Sequence, residues 1–424
     1  MQKTQMIDAI IVGAGAAGLM AARELRHAGK NILVLEASPR AGGRVMTLYD
    51  TNAGIPVELG AEFIHGEAPE TRKLLDEARL TTVPVLGDHY RSDHGELSDQ
   101  GRVWKRMKKV FRLMNPDRKT DRSFQDFLDD KPGGRALANE RELARGFVQG
   151  FNGADPSLIS EKSLAEQGDP TEGAAEAARI VNGYGALIEY LMRDLSEIIR
   201  SSVAVRRIAR MESGVTVTDE HGKEHAARAV IITVPLPLIQ DESIIIEPAI
   251  PALRNAARQL VMGHVSRVCV VVKERFWEKK IENLSFVHCP ERPFNVWWTQ
   301  NPVRAPLLVG WSGGPPTLQL TRSGRAEDVA LFELARAFGI KRARLDRIVE
   351  SIHTYQWSED PHFRGAYSYS GVGGARAART LARSFDDRIH LAGEATDSAT
   401  SGTVEGAVAS GKRASQKVLE LIRS

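Results

Sequence analysis

Cysteine is nearly missing from this chain of 424 residues, with only Cys269 and Cys289 present. Two cysteines cannot build a disulfide framework, and these lack metal-ligand spacing, so the expectation is a reducing compartment and no metal site. Long apolar runs are missing too: nothing approaches the roughly 20 residues that a membrane-spanning helix needs. The apolar stretch IDAIIV near the N-terminus is too short for a secretory signal and leads straight into glycines. The sequon at Asn283 therefore carries no weight, and the expected setting is the cytoplasm, away from membranes. An excess of one charge is also lacking. A formal net charge of +3 gives no nucleic-acid footprint. Neither an internal repeat nor a low-complexity linker interrupts the chain. With 42% hydrophobic and 26% charged residues, the composition is that of an ordinary globular protein long enough for two or three domains.

Pattern takes over where composition stops. Residues 7–12 are almost continuously apolar, as a strand buried on both faces of a parallel sheet should be. A helix is expected over 17–28, with Gly29 as its C-cap, and a second strand over 31–36 closes a βαβ unit. From 69 to 197 the pattern reads as mostly helical. There, RVWKRMKKVFRLM sets Val103, Met107, Val110 and Met114 on one face against Arg and Lys, an amphipathic helix with a solvated basic side. A helix over 186–199 leads to strands near 204–208, 214–218 and 229–234, with His221 and His225 in the polar turn between the last two. Strands over 264–274, 284–288, 294–300 and 307–312 suggest a second sheet, followed by a helix over 327–338. A last strand (389–392) and a long helix (402–422) return to the first sheet.

The first βαβ unit carries chemistry. In GAGAAG, Gly13 permits the tight turn after the strand, and Gly15 lets backbone approach a pyrophosphate. Gly18 allows the helix to pack closely on the sheet, and the amides of Ala16 and Ala17 open the helix toward the anion. Glu36 follows the second strand, where its carboxylate can accept the hydroxyls of an adenosine ribose, with Ala37 and Ser38 next to it. This turn alone does not separate NAD from FAD. A second element, ASPRAGGRVMT, adds Gly42 and Gly43, whose exposed amides flank Arg44, a guanidinium matched to phosphate.

That second element resembles the pyrophosphate signature of the two-dinucleotide-binding flavoproteins. Further segments in the same order extend the resemblance to the flavin-dependent amine oxidases: monoamine oxidases, polyamine oxidases and flavin-dependent histone lysine demethylases. The segments are VELGAEFIHG (57–66), VAVRRIARMESGVTV with Val205, WSEDPHFRGAYSYSGVGG (357–374), and IHLAGEATDSATSGTVEGAVASGKRA (389–414). The resemblance is dense at both ends and thin through the helical stretch. It implies FAD, with Gly60, Ala61 and Glu62 along the isoalloxazine ring and Val205 at the adenine. It also implies Gly393 and Glu394 at the phosphate and ribityl end, with Thr403, Val404 and Ala407 at the flavin edge of the last helix. A helix N-terminus there would stabilise negative charge on reduced flavin. The implied fold is α/β. A discontinuous Rossmann-type FAD domain takes 1–68, 198–246 and 385–424. A substrate domain of mixed β-sheet and helices takes 69–197 and 247–384.

Three positions depart from the family pattern. Arg267 stands where many relatives hold a water with lysine; arginine is a poor proton acceptor, so the expectations are slow reaction with oxygen, an ordered water, a grip on a substrate carboxylate, or pairing with a nearby carboxylate of the protein. Tyr367 matches one of two paired substrate aromatics, whereas Thr403 replaces the other, which makes simple arylalkylamines less convincing substrates. Ala366 occupies the site of the covalent cysteinyl link, so the flavin is expected to be non-covalent. His65 is a candidate partner for a substrate nitrogen, and Trp357 packs near the flavin by resemblance. The function implied is oxidation of a polyamine-like or other primary or secondary amine by hydride transfer to flavin N5, giving an imine and then a carbonyl product, with O2 or another acceptor, in a monomer or homodimer. Rival readings are a dehydrogenase or desaturase of a non-amine substrate, an L-amino-acid oxidase, and a non-catalytic FAD-stabilised binding module.

Overall fold

The structure is a computed structural model that describes residues 6–168, 176–290, 292–385 and 387–423. Its largest sheet has eight strands, and the opening strand Ile7–Val12 runs through the middle. That strand pairs in parallel with Ile32–Leu35 on one side and Glu224–Ile232 on the other, which explains its uninterrupted apolar residues: Ile10 and Ile11 are fully buried. Beyond Glu224–Ile232 lie the antiparallel strands Gly214–Asp219 and Val205–Met211, while Ile389–Leu391 pairs with its far end. The short strand Ile199–Arg200 extends the other edge beside Ile32–Leu35.

The opening helix Ala16–His27 lies so close to the turn before it that a Cβ on Gly18 would stand 1.9 Å from the Gly13 carbonyl oxygen. Only glycine fits there. The closing helix Val404–Arg423 packs along the opening one, sharing an apolar cluster that includes Leu19, Leu25 and Val418. Leu74 and Leu75 of the helix Pro69–Ala78, and Leu187 and Leu191 of the helix Tyr184–Met192, join the same cluster.

A seven-stranded sheet forms the second layer, in the order Val349–Thr354, Val265–Val272, Leu307–Gly313, Val296–Trp298, Leu284–His288, Asp88–Asp93, Glu96–Asp99. The last two correct the expectation that 69–197 is mostly helical. Their sequence, DHYRSDHGELSD, is polar apart from Tyr90 and Leu97 and gives no apolar alternation to read. The hairpin still completes the sheet by pairing Asp88–Asp93 in parallel with Leu284–His288. Helices Val103–Phe111 and Ala138–Phe151 form part of a separate apolar cluster with Phe124 and Phe127. His225 lies within the strand Glu224–Ile232, not in the turn, and its Nε2 is 3.1 Å from Asp219 Oδ2. No helix among the described residues is long and apolar enough to cross a membrane.

Candidate active site

A cavity of about 570 Å³ is walled by the ends of both sheets and by the helices at 103–111, 138–151 and 404–423. That size is within the usual range for small-molecule sites. At one end its wall is main chain. The opening helix begins at this wall with Gly15 as N-cap, no side-chain cap and no acidic residue in its first turn, so its free amides meet the cavity uncompensated. Gly15 and Gly42 form a lone bridge, and a Cβ on Gly43 would come within 3.2 Å of the Gly15 Cα. The two glycine turns thus make one cradle that any side chain would fill. Beside it, Glu36 is oriented by the Ala14 and Ser38 amides at 2.6 and 2.7 Å, while burial raises its carboxyl above the ordinary range.

Further along, Arg44 donates through Nη1 to the Ala366 carbonyl oxygen at 2.7 Å and to Glu394 Oε1 at 2.8 Å. Glu394 is fixed in turn by the Ser368 hydroxyl at 2.7 Å. Trp357 donates Nε1–H to the Leu59 carbonyl at 2.9 Å, which holds the Gly60 and Ala61 segment against the cavity. Tyr367 donates its hydroxyl to the Phe151 carbonyl at 2.7 Å, and burial pushes its pKa well above the usual phenol range, so the ring is neutral and fixed. Thr403 serves the closing helix. Its hydroxyl accepts from the Gly406 amide at 3.0 Å and donates to the Thr400 carbonyl at 2.6 Å, an N-cap geometry. The expectation gave that side chain to the substrate wall; it does line the cavity, with its hydroxyl proton committed to the helix end.

Arg267 and Glu62 both line the cavity and are paired with each other. The Arg267 guanidinium is buried, donates Nη1–H to the Gly60 carbonyl at 3.0 Å, and forms an ion pair with Glu62 through Nη2. Glu62 takes a second guanidinium, Arg179 Nε at 2.6 Å, and the Trp298 indole N–H at 3.1 Å. Burial raises the Glu62 pKa, but the charges of Arg267 and Arg179 overcome that and hold it below the ordinary range. Burial likewise opposes the charge on Arg267, and Glu62 more than offsets it. Two guanidinia thus share one carboxylate. An arginine committed in this way is not a free clamp for a substrate carboxylate.

The far end of the cavity is aromatic, a feature with little local pattern to announce it. Starting from Trp104, ring centroids lie 5.7 Å from Phe147, then 4.9 Å on to Phe151, 5.1 Å to His65 and 5.8 Å to Phe63. From Phe63 the contacts continue 5.6 Å to Trp298, 6.1 Å to Phe286, 4.8 Å to His89 and 5.2 Å back to Trp104. This closed circuit of rings draws on both helices and the second sheet, and all its members except His89 line the cavity. The amphipathic helix at 103–111 therefore has a second role: its buried face, through Val103, Trp104 and Met107, is cavity wall.

Of the residues singled out from the sequence, Gly13, Gly15, Ala16, Ala17, Glu36, Ala37, Gly42, Gly43, Arg44, Gly60, Ala61, Glu62, His65, Val205, Arg267, Trp357, Tyr367, Gly393, Glu394, Thr403, Val404 and Ala407 all line this cavity. Gly18 and Ser38 sit just behind it, where Gly18 allows the close turn and the Ser38 amide steadies Glu36. Sequence reasoning missed Arg179, Trp298, Phe147 and Phe151. For the three aromatics the only signal was ring residues in apolar segments, and Arg179 had none.

The profile of the flavin-containing amine oxidoreductases matches residues 16–419, and the chain belongs to that family. Its cofactor is FAD, which the uncapped helix, the bare glycine cradle and the buried Glu36 fit. Among curated relatives, the chain is 29% identical to lysine-specific histone demethylase 1 homolog 2 of Oryza sativa subsp. japonica, over 98% of this chain and 57% of that protein. It is 28% identical to polyamine oxidase 2 of Arabidopsis thaliana, over 98% of this chain and 88% of the relative. It thus spans little more than half of the demethylase homologue. Among solved structures, cyclohexylamine oxidase from Brevibacterium oxydans superposes with a TM-score of 0.83 at 22% identity, covering 99% of this chain and all of the other. That likeness establishes the shared fold. The protein is an FAD-dependent amine oxidoreductase.

Proposed function

We propose that this chain oxidises the carbon–nitrogen bond of a primary or secondary amine by hydride transfer to FAD, giving an imine that water hydrolyses to a carbonyl compound and a freed amine or ammonia. FAD, when bound, supplies the hydride acceptor at N5. The observation that carries this reading is the continuity of one cavity from the Gly13–Gly18 cradle to Tyr367 and the aromatic circuit. A dinucleotide anchored at Glu36 and Arg44 would thereby present its redox end to a substrate chamber.

The protein's share is orientation and charge. Tyr367, held by the Phe151 carbonyl, gives the substrate a fixed ring to lie against. Arg267 and Arg179 around Glu62 make that neighbourhood net cationic, which disfavours an ammonium and favours the neutral amine that can release hydride. No histidine or carboxylate base is required. Ala366 offers no nucleophile, which supports a non-covalent flavin, and the two buried thiols support a reducing, cytoplasmic setting. We extend the proposal to O2 or another small acceptor as the oxidant, to a monomer or homodimer, and to the division of the chain at 1–68, 198–246 and 385–424 against the remainder.

The test is anaerobic mixing of the FAD-loaded protein with a panel of amines, followed by air. Bleaching of the flavin by amines, and not by apolar acids or polyenes, is the expected result. Failure of every amine to bleach it overturns the reading, and the speed of recovery in air separates oxidase from dehydrogenase.

A further inference from the structure

The walls of the substrate chamber constrain which amine enters. Among the described residues lining the cavity, four are acidic: Glu36, Glu62, Glu142 and Glu394. Glu36 and Glu394 belong to the cofactor end, where amides and Arg44 hold them. Glu62 already serves two guanidinia. Glu142 is exposed and paired with Arg145.

A diamine that offers one neutral nitrogen for oxidation still carries a second ammonium at neutral pH. That cation needs a free carboxylate or an open aromatic face. Two of the lining rings already carry a cation: Arg179 lies 4.7 Å over the Phe63 ring and Arg267 5.5 Å over Trp298. Burial holds His288 and His89 down at about 3 and about 4, so they stay neutral and supply no counter-charge. Glu58, the next acid near Arg267, lies outside the cavity wall. What the rings do stabilise is apolar surface, by removing it from water.

We propose that the site selects monoamines with a bulky apolar body, aromatic or alicyclic, and discriminates against diamines and polyamines. This rests on the amine-oxidising reading above and narrows it. It also reverses the expectation that Thr403 opposite Tyr367 makes arylalkylamines poor substrates, because the missing ring is replaced by the circuit farther out.

A matched pair tests it in the FAD-loaded, full-length protein. Hexylamine and 1,6-diaminohexane have the same chain and differ by one terminal ammonium. In anaerobic stopped-flow, hexylamine is expected to reduce the flavin with a second-order rate constant about tenfold or more above that of the diamine, because the extra cation is desolvated without a partner. Cyclohexylamine and benzylamine are expected to match or exceed hexylamine. Equal or faster reduction by the diamine or by spermidine overturns the selectivity while leaving amine oxidation standing. No reduction by any of these compounds sinks amine oxidation, and the selectivity with it. Leu143→Glu, which adds a carboxylate to a partly exposed stretch of the wall, is expected to narrow the gap between the pair; an unchanged gap in a folded, yellow variant also counts against the proposal.

Discussion

At the Gly13–Gly18 end of the cavity the wall is backbone, and at the Trp104–Trp298 end it is side chain. The first end recognises its ligand with amides whose positions follow from one turn, one helix start and one buried carboxylate. It tolerates little, since an added Cβ would stand 1.9 Å from a neighbouring atom at Gly18 and 2.6 Å at Gly13. The second end is assembled from two helices and a distant sheet, and its rings touch at 5–6 Å with room to repack. On the proposed function, the first end holds the cofactor and the second meets the substrate. Substitutions at the two ends should fail in different ways.

The largest effect is expected at the cradle. In Gly18→Val the new Cβ would stand 1.9 Å from the Gly13 carbonyl oxygen, so the turn must open or the helix shift. The purified variant should lack yellow absorbance and fail to take up added FAD. Phe147→Leu, at the aromatic end, should keep a full complement of flavin and change only kcat/KM toward amines. A yellow Gly18→Val protein, or a colourless Phe147→Leu protein, would break the contrast between the ends.

That contrast also explains what could be read from the sequence. Gly13, Gly15, Gly18, Glu36 and Arg44 were legible because backbone recognition forces particular residue types at short spacings. Phe147, Phe151, Trp298 and Arg179 were not, because a ring in a cavity wall and a ring in a core leave the same apolar signature. Arg267 was noticed as unusual, but its partner Glu62 lies 205 residues away, a separation at which no local pattern pairs them. The polar hairpin at 88–99 was lost for a different reason: its strands are fixed by an established sheet edge and carry no alternation of their own.

Between the two ends lies the ion triad, where the next largest effect is expected. Glu62→Gln leaves Arg267 and Arg179 buried without a counter-charge, and breaking such a pair costs about 3–5 kcal/mol. Denaturant titration should show that loss. Arg267→Lys keeps the charge pair, so it should lose much less, and after anaerobic reduction it should reoxidise faster in air. If its reoxidation is unchanged, arginine at this position does not restrain the reaction with oxygen.

Glu58 sharpens the comparison through pH. It lies behind the flavin-side wall, accepts from Thr47 Oγ1 and the Tyr184 amide, and is pushed by burial to about 7 from an ordinary 4.5. A carboxyl raised in the fold favours the native state most below its unfolded pKa. That advantage is lost as pH rises toward the folded value. At about 1.4 kcal/mol per unit, the loss is roughly 3 kcal/mol by pH 8. Wild-type unfolding midpoints should therefore fall between pH 5 and 8 more steeply than those of Glu58→Gln. Parallel profiles for the two proteins would remove Glu58 as the cause.

The smallest effect should come from Thr403, and it separates a cap from a substrate contact. The hydroxyl accepts from the Gly406 amide and donates to the Thr400 carbonyl, both of which steady the first turn of the closing helix. Removing such a cap costs about 1 kcal/mol. Thr403→Ala should lower Tm slightly while leaving kcat/KM for a given amine close to wild type, and Thr403→Ser should restore Tm because it keeps the oxygen. A residue that touched the amine through its hydroxyl would behave differently, with Tm unmoved and kcat/KM reduced in Thr403→Ala but kept in Thr403→Ser. That outcome would make Thr403 a substrate contact as well as a cap on the cavity wall.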